Sequence, residues 1–313
     1  MRHLNGPKIL CIGACHMDYK LIAKNHILEK TSNPITSMAN PGGVVRNIAE
    51  NLSRLNMDVS LMSIVGHDVT GDTLITSMSQ WMNIDLLQQV QNEQTGQYFA
   101  VLDPKGDMVV AYANMNIYLK MNHQWIHQKI DIIKTYDYII ADMNIQKDGL
   151  KALIDLSKKE NIPLIIVAVS EPKMSHLPFD LDGLTLLICN QGESNTYLKE
   201  RFEKEDVKMN LWQQTKLHQL LITKGDQPIT YLNQHEIKHI DVPKLDPDQI
   251  ADVTGAGDAF SAGVVFGLTQ NLSIEEAIHA GIINAKHTIY SKDSVNQNLS
   301  EEAFLKEVKN AKL

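Results

Sequence analysis

The sequence reads as an α/β protein, a mainly parallel sheet covered by helices, with a small β appendage. Strand-like apolar runs alternate with helix-like ones: Val59–Val65 then Val69–Trp81, Tyr138–Ala141 then Leu150–Lys159, and next Leu164–Val169. That order marks βα units whose helices pack on a parallel sheet. With 313 residues and 43% hydrophobic content, the chain can bury one large core plus a small appendage. Two stretches break the alternation. Residues 19–40 lack helical periodicity, and Gln97–Leu102 with Met108–Ala113 alternate around Asp103-Pro104-Lys105-Gly106, a good hairpin turn.

Taken in order, Ile9–Ile12 is a short apolar strand that runs into Gly13-Ala14-Cys15-His16-Met17-Asp18. Pro41-Gly42-Gly43 opens a helix whose Val44, Ile48, Leu52 and Leu55 make one apolar stripe. Asn47 lies off that stripe in the first turn, beside glycines that let a ligand approach the backbone. Gly66–Thr73 mimics a phosphate-binding P-loop, but Asp72 stands where the lysine belongs, so it reads as a structural turn. Leu184–Cys189 and Leu220–Ile222 are further strands, and Thr230–Leu232 with Ile237–Val242 form a hairpin. That hairpin holds His235-Glu236-Ile237-Lys238-His239, which matches a zinc-protease motif. In a strand, residues four apart stand about 13 Å from one another, so one zinc cannot take both histidines. A last helix-like segment covers Glu301–Leu313.

Residues 252–263, Asp-Val-Thr-Gly-Ala-Gly-Asp-Ala-Phe-Ser-Ala-Gly, say most about chemistry. Gly255, Ala256 and Gly257 form a turn too small to crowd an approaching group, and Asp258 falls in the first turn of the helix that follows. A glycine turn feeding a helix N-terminus presents unpaired N–H groups and the positive end of the helix dipole, which is an anion site. A carboxylate beside such a site suits deprotonation of a hydroxyl while negative charge builds next to it, as in phosphoryl transfer to an alcohol. Read alone, the segment is also a plain helix cap.

The segment resembles the C-terminal signature of the ribokinase-like (phosphofructokinase-B type) carbohydrate and nucleoside kinases, with Val253 in place of a usual Thr. The resemblance implies Asp258 as catalytic base and the Gly255, Ala256 and Gly257 amides as anion hole. Gly42, Gly43 and Asn47 resemble the family's sugar-gripping Gly-Gly-x-x-x-Asn, and Asp18 takes the place of the acid that binds two sugar hydroxyls. Asn190-Gln191-Gly192-Glu193 resembles an Asn-x-x-Glu motif, implying that Asn190 and Glu193 serve Mg²⁺ and phosphate, Glu193 through water. It is equally a helix start with a capping box. Thr223 and Gly225 fit the strand and turn that border the nucleotide, although Pro228 replaces the family's last Gly, and Asn284 is implied on the nucleotide side. Asp252 and Thr254 are implied to bind K⁺. The resemblance covers nearly the whole chain. It predicts a three-layer α/β/α sandwich forming one domain, 1–313, with lid segments about 19–40 and 97–118 inserted and a homodimer formed through the lid.

Thr31-Ser32-Asn33-Pro34, Asn114-Met115-Asn116-Ile117 and Ala141-Asp142-Met143-Asn144-Ile145 further resemble the pseudouridine kinases of that family. Asn33, Asn116 and Asn144 would then face a nucleobase, since each amide offers a donor and an acceptor to an imide edge. They also fit ordinary turns and caps. The implied activity is ATP-dependent phosphorylation of a ribosyl 5′-hydroxyl, with ribose, hexose or adenosine as alternative acceptors and a non-catalytic nucleoside sensor as the distant alternative.

A net charge of −8 argues against a nucleic-acid partner. Three cysteines, Cys11, Cys15 and Cys189, lack zinc-like spacing and suit a reducing compartment. The longest apolar run is too short to cross a bilayer, and the expected location is the cytoplasm.

Overall fold

The computed structural model describes residues 6–201 and 214–310. The expected α/β architecture is present. Eight strands form one sheet in the order β14-β13-β12-β11-β10-β9-β1-β4. These are β1 Lys8–Ile12, β4 Asp58–Met62, β9 Tyr138–Asp142, β10 Leu164–Val167, β11 Leu186–Asn190, β12 Gln219–Lys224, β13 Gln227–Asn233 and β14 Ile237–Ile240. The pairs from β4 across to β12 are parallel, and only β12–β13 and β13–β14 are antiparallel.

Helices α1 Val44–Arg54, α2 Val69–Ser79, α3 His123–His127, α4 Ile130–Ile133, α5 Lys147–Glu160, α6 Gln191–Arg201, α7 Ala256–Thr269, α8 Ile274–Ile289 and α9 Glu301–Asn310 complete the description. Residues 311–313 of the expected last helix lie outside the described residues. The sheet separates two apolar clusters. One gathers Ile9, Cys11, Ile140 and Leu221 with α1, α7 and α8, and the other gathers Leu10, Ile12, Ile139 and Leu220 with α5. Successive strand residues feed opposite faces, as a strand buried on both sides requires.

A separate four-stranded sheet, in the order β3-β2-β7-β8, joins β2 His16–Ala23, β3 Ile35–Gly42, β7 Gln97–Leu102 and β8 Met108–Asn114. The expected strand Val59–Val65 divides at Ser63. Its second part, β5 Ile64–Gly66, leaves the main sheet to pair with β6 Gln88–Val90. The P-loop look-alike has a structural role but is mostly a helix start rather than a turn, since Val69–Thr73 belong to α2: Asp68 caps that helix by accepting from Gly71 N at 2.7 Å and accepts from Thr95 Oγ1 at 2.6 Å. His239 lies in β14 opposite Thr230, so the zinc-protease pattern sits in a hairpin. All three cysteines are free and buried, and no helix of the described residues is long and apolar enough to cross a membrane.

Candidate active site

In chain order β1 pairs on one side with β4 and on the other with β9, so the strand order reverses at β1. Ligand crevices in open α/β sheets form outside the carboxyl ends of strands at such a switch. Here that crevice receives the loop after β1, the end of β9, and the N-termini of α1 and α7.

At the start of α7, Gly255 has φ +82, a left-handed conformation that favours glycine, and a Cβ there would collide with Ser294 O. Among the described residues no side chain caps this helix. A Cβ on Gly257 would meet nothing within 4 Å, so the helix N-terminus is open on that side. The two glycines therefore do different jobs. One makes the turn, and the other leaves room in front of the amides.

Asp258 is partly buried in the first turn, where its Oδ2 accepts from Asn47 Nδ2 at 2.8 Å. Arg46 Nη1 donates to Asn47 Oδ1 at 2.8 Å and to Pro41 O at 3.2 Å. A guanidinium can only donate, so it fixes the Asn47 oxygen toward itself and the Asn47 amide toward the acid. Glu50 pairs with Arg46 and also accepts from Arg54 Nε at 2.9 Å, so one carboxylate bridges two guanidiniums and partly offsets the buried charge. Burial pushes the Asp258 carboxyl up to about 7; the Asn47 bond opposes that rise, and the Asp142 and Asp18 charges reinforce it.

Asp18 stands on β2 opposite Asn40 of β3. Its carboxyl presses on Gly42, where any Cβ would overlap it, and Gly43 (φ +110) packs against Ala14 O. His16 Nε2 lies 3.0 Å from Asp18 Oδ1, off hydrogen-bonding alignment. That buried oxygen therefore has no hydrogen-bond donor among the described residues. An unmatched buried acceptor is costly, and a ligand hydroxyl could satisfy it.

Asp142, which sequence reasoning passed over as a strand end, is fully buried beneath these groups. Its Oδ2 accepts from Ala14 N at 3.1 Å and Val45 N at 3.4 Å, and its Oδ1 accepts from Asn144 N at 2.9 Å. One carboxylate thus ties β1, β9 and the start of α1 together. Burial raises its pKa, while bonds from Asn144 and Ala14 oppose. The only signal in the sequence was an acid closing an apolar strand. Asn144 is itself buried, with Oδ1 accepting from Lys173 Nζ at 2.6 Å. Asn33 spends its amide on its own loop, accepting from Leu28 N and donating to Leu28 O, both at 2.8 Å. Asn116 is exposed at the start of a short 3-10 turn, Asn116–Lys120.

Where β11 runs into α6, Asn190 and Glu193 form a reciprocal cap: Glu193 Oε2 accepts from Asn190 N at 2.8 Å, and Asn190 Oδ1 accepts from Glu193 N at 2.9 Å. Burial raises the Glu193 pKa against that cap. Thr223 lies near the end of β12, and Gly225 turns the chain into β13 with open space around it. A cavity of about 450 Å³ beside them is lined by Gln191, Ile222, Lys224 and His239. Ile222 and Lys224 face away from Thr223, so this cavity lies across the strand from it. Asn284 is fully buried, donating to Ala259 O at 2.8 Å and Asn51 Oδ1 at 3.1 Å, and is not brought to an open surface.

The pfkB family of carbohydrate kinases matches residues 7–300, and the chain belongs to that family. It is a sugar or nucleoside kinase, a phosphotransferase to an alcohol. It is 29% identical over 274 residues to the pseudouridine kinase of Escherichia coli, covering 86% of each chain. It is 24% identical over 300 residues to the guanosine-inosine kinase of Exiguobacterium acetylicum, covering 92% of this chain and 96% of that protein. Among solved structures, a carbohydrate kinase from Agrobacterium tumefaciens superposes with a TM-score of 0.80 at 26% identity over 97% of both chains. An Arabidopsis thaliana ribokinase complexed with ribose and ATP shares the fold, with a TM-score of 0.82 at 18% identity over 97% of this chain and 99% of that one.

Proposed function

We propose that the chain transfers the γ-phosphoryl group of ATP to the 5′-hydroxyl of a ribosyl nucleoside, with pseudouridine as its acceptor. The observation that carries the reading is the Asn47–Asp258 pair: an acid raised to about 7, beside an uncapped helix start. Asp18 and the Gly42–Gly43 backbone hold the ribosyl hydroxyls. The 5′-hydroxyl then gives its proton to Asp258 as the oxygen attacks phosphorus, and the Gly255–Gly257 amides receive the charge of the transferring group. A Mg²⁺ would neutralise charge on the nucleotide phosphates. Glu193 would meet that ion through water with the carboxylate oxygen that the cap leaves over, while the single side-chain oxygen of Asn190 is held by the cap. Thr223 and Gly225 would border the nucleotide. Of the nucleobase candidates, Asn116 alone keeps an exposed amide.

The relation to the pseudouridine kinase favours that acceptor, and the guanosine-inosine kinase makes purine nucleosides the second reading. ADP release measured with pseudouridine, uridine, inosine, ribose and fructose separates them. The expected result is the highest kcat/KM with pseudouridine. An inert pseudouridine beside an active second acceptor overturns the choice of substrate, and silence with every acceptor favours a sensor.

A further inference from the structure

The family resemblance implies a monovalent cation at Asp252 and Thr254, and the structure finds that place already taken. Lys20 reaches over from β2 of the small sheet. Its Nζ lies 2.5 Å from Asp252 Oδ2 and 3.4 Å from Thr254 Oγ1. Asp252 Oδ1 accepts from Thr254 N at 2.8 Å. Both carboxylate oxygens and the hydroxyl are therefore engaged, and a positive charge already balances the acid. The nearby Ile289 carbonyl accepts from Ala251 N at 2.9 Å and Asp252 N at 3.3 Å, so it too is occupied. A potassium ion needs several free oxygens in one place, and this set does not fit it.

We propose that the Lys20 ammonium is the resident cation of the Asp252–Thr254 loop and makes the chain indifferent to K⁺. The inference rests on the kinase reading above, because the loop leads directly into Gly255 and the open amides of α7. Asp252, Thr254 and the Gly255 turn lie within four successive residues, and Gly255 is wedged against Ser294 O, so shifting the acid shifts the amides. An ammonium carries the same charge as K⁺, but its stem is anchored in a strand, so it cannot leave. Burial raises the Asp252 pKa, yet the bonds from Lys20 and Thr254 outweigh it and hold the carboxyl below its ordinary range.

The tether has a second consequence. Lys20 and Asp18 are two apart on β2 and so share a face of the small sheet. One strand carries both the carboxylate assigned to the acceptor and the cation that steadies the anion hole. Lys20 is here a positioning residue, since it acts on the anion hole through Asp252 and Thr254.

The test compares matched KCl and choline chloride at constant ionic strength, using initial rates of ADP release and, separately, thermal melting. The wild-type protein should give rates within about twofold in the two salts and the same melting temperature. Lys20→Met should be slower in choline, on the order of tenfold, and should regain part of that loss saturably as KCl replaces choline. Its melting temperature should rise with KCl where the wild type's does not. Lys20→Arg, which keeps the charge, should stay indifferent to K⁺. A saturable, severalfold K⁺ activation of the wild type overturns the proposal, as does a Lys20→Met protein that ignores K⁺ in both rate and melting. If Lys20→Met does not fold, the wild-type comparison and Lys20→Arg decide alone. If no acceptor is phosphorylated in any salt, the kinase reading fails, and the melting series still reads the cation.

Discussion

As the proposed base, Asp258 needs a proton affinity near neutrality, and its neighbours supply it. Burial and the Asp142 and Asp18 charges raise the carboxyl to about 7, while Asn47, aimed by Arg46, keeps it from rising further. Four expectations follow at this scale. Asp258→Asn should lower kcat about 10²–10⁴-fold or more with acceptor binding nearly intact. Because the base must be ionised, kcat/KM of the wild type should fall about tenfold per pH unit below about 7 and level off above it. The sign for stability is the reverse. A carboxyl whose folded pKa is raised takes up a proton on folding, so stability is fully present below the unfolded value of 3.8 and is lost as pH rises to about 7. Asp258→Asn removes that loss. It should melt higher than wild type at pH 8, by at most ~4 kcal/mol, and close to it at pH 4. Equal melting at both values would contradict the raised pKa. Arg46→Lys lacks the rigid fork that fixes the Asn47 amide. Its kcat/KM profile should shift to higher pH as Asp258 loses the Asn47 donor, a change that simple loss of stability would not produce. Of the groups involved, Asp258, Asn47 and Asp18 are legible in the sequence because each sits at a glycine turn or strand end with recognisable spacing. Arg46, Asp142 and Lys20 are not legible. Their meaning lies in partners 97 to 232 positions away, or in an amide orientation that one-dimensional spacing cannot encode.

At the level of elements, the start of α7 offers a pair of substitutions that separate folding from chemistry. Gly255→Ala meets both a left-handed φ and Ser294 O, so it should destabilise the protein by ~1 kcal/mol or more and lower activity through the displaced turn. Gly257 has helical backbone and empty space around its α-carbon. Gly257→Ala should therefore melt at or slightly above the wild-type temperature, by up to ~1 kcal/mol. Turnover should still drop, because the new methyl stands where the phosphoryl group must approach the amides. Melting curves beside ADP-release rates read this directly, and a fully active Gly257→Ala protein would place the anion elsewhere. The helix itself was readable from its glycine turn and apolar run. For α1 the sequence suggested one stripe, Val44, Ile48, Leu52 and Leu55, whereas Val45 through Arg54 are all buried. The polar side is covered as well, with Asn51 accepting from Asn284 of α8, a packing that periodicity cannot foretell. The strand pair β5–β6 was missed for another reason: each member has three residues, too few to show any period.

At the scale of the whole molecule, alternation along the chain revealed the large sheet because each βα unit is local, while the small sheet showed only as two stretches without helical rhythm. Its strands come from both sides of α1 and α2, and β2 pairs with β7 in parallel across that gap. The sheet also leaves apolar surface uncovered: Met108, Val109 and Tyr112 of β8 are 60%, 56% and 63% exposed, and Met38 of the opposite edge strand 45%. Edge strands with exposed apolar side chains invite pairing, and evolved proteins either charge them or cover them. We propose that a second copy of this chain covers this one, as the family resemblance implies for the small sheet. Sedimentation should then report a dimer at micromolar concentration, and Val109→Lys with Tyr112→Glu should give a folded monomer with an unchanged main-sheet core. A monomeric wild-type protein would refute the interface. Since β2 lies between β3 and β7 and carries Asp18, loss of the partner should loosen the wall of the acceptor site while leaving α7 untouched. The monomer should therefore show an acceptor KM raised severalfold with kcat changed much less, the signature of weakened ground-state binding rather than of a damaged base.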